Sequence, residues 1–151
     1  MEISSSIKID RKIDEVFAFV AKVDNMSRWV SGVSRAKLLS PRMGKGARFV
    51  AEYTPAWRKN SVEFEVSEYE EPNVFGLEVA RGPFNFRGRL RLMISNGGTE
   101  VINEINADPD SLSTRLAAIT LGPFLRTRMT DRLQRELLAL ERAIMGTATV
   151  V

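Results

Sequence analysis

The 151-residue chain contains no cysteine and no histidine. The first absence excludes disulfide scaffolds and thiolate nucleophiles. The two together exclude Cys/His zinc sites, Ser–His–Asp hydrolysis and any histidine general base. A carboxylate of raised pKa or a lysine of lowered pKa could still move a proton, but the commonest shuttle near neutral pH is missing. Long apolar runs are missing too. The longest uncharged stretch, Leu116 to Leu125, falls well short of the ~20 residues that a membrane span needs. Met1-Glu2-Ile3-Ser4-Ser5-Ser6 carries an early acid and no apolar core, so it does not read as a targeting signal, and a cytoplasmic location is expected.

What is present is ordinary for a globule. Hydrophobic residues make up 44% and charged residues 27%, which excludes a disordered or low-complexity chain. The length suits one domain, expected over residues 1–146 with a flexible tail at 147–151. A globule of this size buries roughly 68–70% of its unfolded surface and needs no disulfide or metal to hold its core. Twenty-two basic residues against nineteen acidic give +3, and sixteen of the bases are arginines. So small an excess argues against nucleic acid as a partner.

Periodicity orders the elements. Ile3, Ser5, Ile7 and Ile9 alternate with polar residues in an opening strand. Asp10 is a plausible N-cap for a short helix carrying Ile13, Val16, Phe17 and Val20, and Asp24 for a second through Val30, with Gly32 as its stop. A β region follows. Gly32–Ser40 reads as one strand, and Pro41 to Gly46 as its turn. Phe49/Ala51/Tyr53, Val62/Phe64/Val66, Phe75/Leu77/Val79, Phe84/Phe86/Leu90/Leu92 and Val101/Asn103/Ile105 each alternate with polar partners. Asn96-Gly97-Gly98 is a hairpin signal. Gly44-Lys45-Gly46 resembles a phosphate loop only superficially, because no helix follows it. After Asp108-Pro109-Asp110-Ser111 comes the longest helical pattern, with a kink expected at Gly122-Pro123. Beyond it Leu125, Met129, Leu133, Leu137, Leu140 and Ile144 form an apolar stripe.

A meandering sheet with one apolar face needs a cover, and the long helix is the only element large enough. The expected class is α+β. On the watery face Arg87, Arg89 and Arg91 should sit beside Glu100 and Glu104, either as a solvated ladder or as a basic docking stripe. On the final helix Arg126, Arg128, Arg132, Arg135 and Arg142 with Asp131, Glu136 and Glu141 read as a solvated outer face, or as a surface for a membrane or an acidic partner.

The run Asp14-Glu15-Val16-Phe17-Ala18-Phe19-Val20, then Asp24-Asn25-Met26-Ser27-Arg28-Trp29, then the meander and final helix resembles the START-like (SRPBCC) superfamily. Within it the chain looks most like the polyketide cyclase/dehydrase and lipid-transport group. The resemblance spans nearly the whole chain but rests on element order and apolar positions, with no catalytic signature. It implies a helix-grip fold: a curved antiparallel sheet of about six to seven strands around the C-terminal helix, enclosing a pocket for an apolar ligand. Fold likeness by itself does not assign an activity.

By alternation, Trp29, Phe49, Tyr53, Phe64, Leu77, Phe86, Leu90 and Asn103 are candidate pocket residues, joined by Trp57 at the mouth and by Leu116, Thr120 and Phe124 from the helix. The alternative for each is that it simply fills a core. Gly88, between Phe86 and Leu90, leaves room or marks a close approach. Asn103 must bond to protein or to a ligand oxygen, since an unpaired buried amide costs roughly 1–3 kcal/mol. The first expectation is a binding or transport module for a small hydrophobic or aromatic molecule, without metal or cofactor. A cofactor-free cyclase or dehydratase is the second, with Tyr53, Arg58, Glu68 and Asn103 as candidates; Glu68 continues the parity of Val62, Phe64 and Val66. Docking through the basic face is the third, and a homodimer is left open.

Overall fold

In the computed structural model, residues 2–54, 60–82, 85–106 and 112–148 are described, with the side chains of the last segment given for 127–146. The order is β1 (Glu2–Ile9), α1 (Ile13–Ala21), a 3-10 segment (Val23–Arg28), β2 (Val33–Leu38), β3 (Arg48–Tyr53), β4 (Asn60–Glu70), β5 (Val74–Arg81), β6 (Arg87–Ser95), β7 (Gly98–Asn106) and α2 (Leu112–Ala148). The seven strands form one antiparallel sheet in the order β1-β7-β6-β5-β4-β3-β2. Only β1 leaves sequence order, crossing to pair with β7. The curled half-barrel and its C-terminal helix make a START/Bet v 1-like, helix-grip fold.

Helix boundaries differ from the sequence reading at both short helices. α1 starts two residues later than an Asp10 cap requires, because Arg11 N–H first closes a turn on the Ile9 carbonyl. Lys12 stands at the N-cap position with no side-chain bond. Asp24 falls inside the first turn of the 3-10 segment instead of capping it, a place that still suits a negative charge. α2 is one 37-residue helix that Gly122-Pro123 does not divide, and it reaches Ala148, into the expected tail.

One end of the sheet is closed. α1 buries Val16, Phe17, Val20 and Ala21, and the Phe17 ring meets Tyr69 and Phe75 edge-on at 5.4 and 6.4 Å. Burial raises the Tyr69 pKa, with Glu71 adding to it. α2 packs chiefly on β1, with lesser contacts to β7 and the 3-10 segment, and buries Leu133, Leu137, Leu140 and Ile144.

Three irregularities interrupt the alternation. Val66 faces Leu77 and Glu68 faces Gly76, so Ser67 is an extra residue on β4. Ala80 is likewise extra on β5 and Ser34 on β2. A bulge of one residue inverts every side chain beyond it. After Ser67, Tyr69 therefore points inward and Glu68 outward, where it meets Arg89 at 3.6 Å. This corrects the expected inward Glu68. Gly76 makes the bulge feasible: a Cβ there would lie 3.0 Å from both Glu68 Cβ and Ser67 Oγ.

The outer ladder is partly as expected. Glu104 receives Arg89 Nε at 2.8 Å and Arg91 Nε at 2.6 Å. Arg87 turns to Glu78 at 3.3 Å instead, while Glu100 stands opposite Met93 and not opposite an arginine.

Candidate functional site

The concave face of the sheet carries most of the residues that alternation marks as candidates. Its open part is carried by β3 to β6. Phe49 of β3 is fully buried and stacks on Phe64 of β4 at 5.2 Å, and Phe64 meets Phe86 edge-on at 6.3 Å. Phe86 precedes β6, where its carbonyl accepts the Val79 N–H at 3.0 Å. Phe64, Leu77, Val79 and Phe86 are only half-buried, unlike the packed residues of the closed end. Gly88 leaves no vacancy beside them, because a Cβ there would sit 2.9 Å from Phe86 Cζ: the ring lies over the glycine.

Of the expected residues, Trp29, Phe49 and Leu90 are buried in the core, and Tyr53, Phe64, Leu77 and Phe86 lie half-buried along the inner face. Asn103 is buried on β7 between Ser5 of β1 and Leu90 of β6. Trp57 and Arg58 lie outside the described residues. So do the side chains of Leu116, Thr120 and Phe124, whose backbone belongs to α2. Trp29 Nε1 is buried with no hydrogen-bond partner among the described residues.

A polar knot that the sequence reading missed closes one side of this face. Glu136 of α2 is 6% exposed, correcting its assignment to the outer surface of the helix. Its position foretold this: it lies three residues after Leu133 and four before Leu140, on the same face as both. Glu136 Oε1 accepts Arg132 Nε at 3.0 Å and the Ser31 N–H at 3.3 Å. Arg132 also donates from Nη2 to the Ser31 carbonyl at 3.1 Å, and its guanidinium lies 5.8 Å from the centre of the Tyr53 ring. The knot fastens α2 to the segment before β2 and to the end of β3. Desolvation pushes the Glu136 carboxyl above the usual glutamate range, and Arg132 and Ser31 offset only part of this.

On the far side of α2, Gln134 accepts a hydrogen bond from Ser5 Oγ of β1. The helix is thus tied to both margins of the half-barrel, by neutral groups at β1 and by charged groups at Ser31 and Tyr53. Among the described residues no cluster of three or more potential ligating side chains is placed to hold a metal ion, and no helix is long and apolar enough to cross a membrane.

A curled sheet gripping a terminal helix over an apolar concave face defines the START-like class. The chain belongs to the polyketide cyclase / dehydrase and lipid transport family, whose model matches residues 1–144. Solved structures share the fold at low identity. TTHA0849 from Thermus thermophilus has a TM-score of 0.80 at 14% identity, covering 99% of this chain and 100% of its own. A START superfamily protein from Mycobacterium smegmatis gives 0.75 at 10% identity, with 97% and 98% covered. The di-domain ARO/CYC StfQ from the steffimycin biosynthetic pathway gives 0.74 at 12% identity; the match takes in 99% of this chain and 52% of StfQ. No curated protein matches the chain.

Proposed function

We propose that this protein binds a small, largely apolar molecule against the concave face of its sheet, with Phe64, Leu77 and Phe86 as the contact band and Tyr53 at its margin. The carrying observation is that these inner-face side chains remain half-buried while Phe17, Val20 and Phe75 of the closed end are fully packed. Covering a leucine-sized side chain is worth about 1.5–3 kcal/mol, so a guest that finishes their burial gains affinity from each. Leu116, Thr120, Phe124 and Trp57 are assigned to the same guest as further contacts. The family description, which joins polyketide cyclisation with lipid transport, supports a carbon-rich ligand.

Binding is favoured over turnover by the place of Glu68. The carboxylate expected to abstract a proton stands on the outer face beside Arg89, across the sheet from the contact band. Docking through the arginine ladder is disfavoured in the same way, since Arg87, Arg89 and Arg91 each meet a glutamate.

Titration calorimetry with naphthalene, backed by native mass spectrometry, tests the reading. The expected dissociation constant is below about 1 mM, and Leu77→Asp should weaken it by about tenfold or more. No detectable binding to the wild type, or equal binding by Leu77→Asp, would remove the proposal.

A further inference from the structure

The described inner face of the central strands is largely apolar, and Thr99, the other buried polar residue of β7, gives its hydroxyl proton to the Arg11 carbonyl. Asn103 of β7, 7% exposed, stands directly opposite Ser5 of β1, and Ser5 Oγ donates to Gln134 of α2. Residues opposed across antiparallel strands bring their Cβ atoms to about 4.5–5.5 Å, so the Asn103 amide and the Ser5 hydroxyl adjoin. Three elements therefore contribute three neutral polar side chains to one place. Its position in the fold matters. Asn103 faces Leu90, and one step along the strands Ile105 faces Gly88, which faces Leu77. The polar step thus borders the half-buried band where the closed end gives way to it.

The groups retain capacity after their mutual bond. Ser5 gives its one proton to Gln134 and keeps lone pairs, while the amides of Gln134 and Asn103 carry N–H donors. The charged pair of α2 belongs to another side of the helix: Arg132 and Glu136 are each two residues from Gln134, about 200° round the axis. A carboxylate brought to this step would give up its hydration with no cation from that pair to meet it, whereas a ketone or hydroxyl oxygen needs only the N–H groups present.

We infer that the ligand of this pocket is an uncharged molecule with an apolar ring body and a ketone or hydroxyl oxygen at its inner end, and that Asn103 and Gln134 select that oxygen. This rests on the pocket reading above and adds to it the chemistry of the ligand's polar end.

Three probes of one shape test it: acetylnaphthalene, isopropenylnaphthalene (a methylene in place of the carbonyl oxygen) and naphthoate. Each is titrated into the wild type, Asn103→Leu and Gln134→Met. The readout is the ratio of ketone to alkene affinity, which cancels general changes in packing. That ratio should fall about three- to tenfold in Asn103→Leu, and in the same direction in Gln134→Met, while alkene affinity holds or rises. Naphthoate should bind the wild type most weakly at neutral pH. A ratio unchanged in the variants, or naphthoate as the tightest ligand, overturns the inference and leaves the pocket intact. If no probe binds the wild type, the pocket reading falls and the inference with it. Should Asn103→Leu fail to fold, Gln134→Met decides, because that side chain is half-buried and methionine suits a helix.

Discussion

Glu136→Gln isolates the electrostatic cost of the knot from its hydrogen bonds. The bonds from Ser31 N–H and Arg132 Nε both end on Oε1 of the carboxylate, which the Ser31 hydroxyl also reaches. A glutamine oxygen in the same place accepts both, so the geometry survives and only the charge is removed. The wild-type carboxyl is shifted upward because burial outweighs its partners. A raised folded pKa means that, between the ordinary glutamate pKa and the raised value, the folded state holds more proton than the unfolded one. Stability therefore falls as pH rises through that window, with a slope from this group of at most about 1.4 kcal/mol per pH unit. In Glu136→Gln that contribution is gone. Urea unfolding at intervals from about pH 4 to pH 8, read as midpoint with m held constant, measures the difference between the two proteins. The variant should gain on the wild type as pH rises, then run parallel to it above the raised pKa. Replacing one ion of the pair does not strand the other, because the Arg132 side chain keeps 42% of its surface in water. The opposite result, a wild type that gains on the variant as pH rises, would mean that Arg132 depresses the carboxyl and would refute the desolvation argument.

Two further outcomes test the packing and the ladder. Leu137 is fully buried between α2 and the sheet, so Leu137→Ala should cost about 2–5 kcal/mol in urea unfolding; a loss below about 1 kcal/mol would contradict a packed closed end. Glu104→Gln should cost less than about 1 kcal/mol at neutral pH, because its arginines are half in water. Desolvation pushes the Glu104 carboxyl up, but the bonds from Arg89 and Arg91 together outweigh it and the net shift is downward. The contribution is thus present above the ordinary glutamate pKa and lost as pH falls through the depressed one, so wild type and variant should converge in acid; a gap that widens there would contradict the assignment.

Alternation exposed most of the inner face to a reader of the sequence, because a sheet with one dry side demands it. Phe49, Ala51, Val62, Val66, Phe75, Leu90 and Val101 fall on the inner face by alternation and are all buried. Strict alternation failed at Glu68, since a one-residue bulge has no signature in hydrophobicity. The trace it did leave is Gly76, which must lack a Cβ to lie against Ser67 and Glu68. Glu136 escaped for another reason. The apolar stripe of α2 runs through Leu125, Met129, Leu133, Leu137, Leu140 and Ile144, and residue type sets a glutamate outside it although spacing sets Glu136 inside. Neither the Ser31 loop nor Tyr53 could be brought to Arg132 by sequence, because those contacts join residues 101 and 79 positions apart.

The Ser67 bulge also explains why the concave face has two ends of different character. By turning Tyr69 inward it completes the Phe17–Tyr69–Phe75 cluster, to which α1 is fastened. Had β4 kept its register, Glu68 would face that cluster and Tyr69 would face water, a reversal that costs a desolvated carboxylate and an aromatic side chain left out of the core. Before the bulge, β4 presents Val62, Phe64 and Val66, and the Phe64 ring contacts run to Phe49 and Phe86. The extra residue therefore lets one continuous strand give Tyr69 to the α1 cluster and Phe64 to the Phe49–Phe86 band. Asn103 lies across the sheet at the level of Leu90 and Phe75, the last row of the closed end, so a guest resting on the band would meet its amide at the point where apolar contact ends.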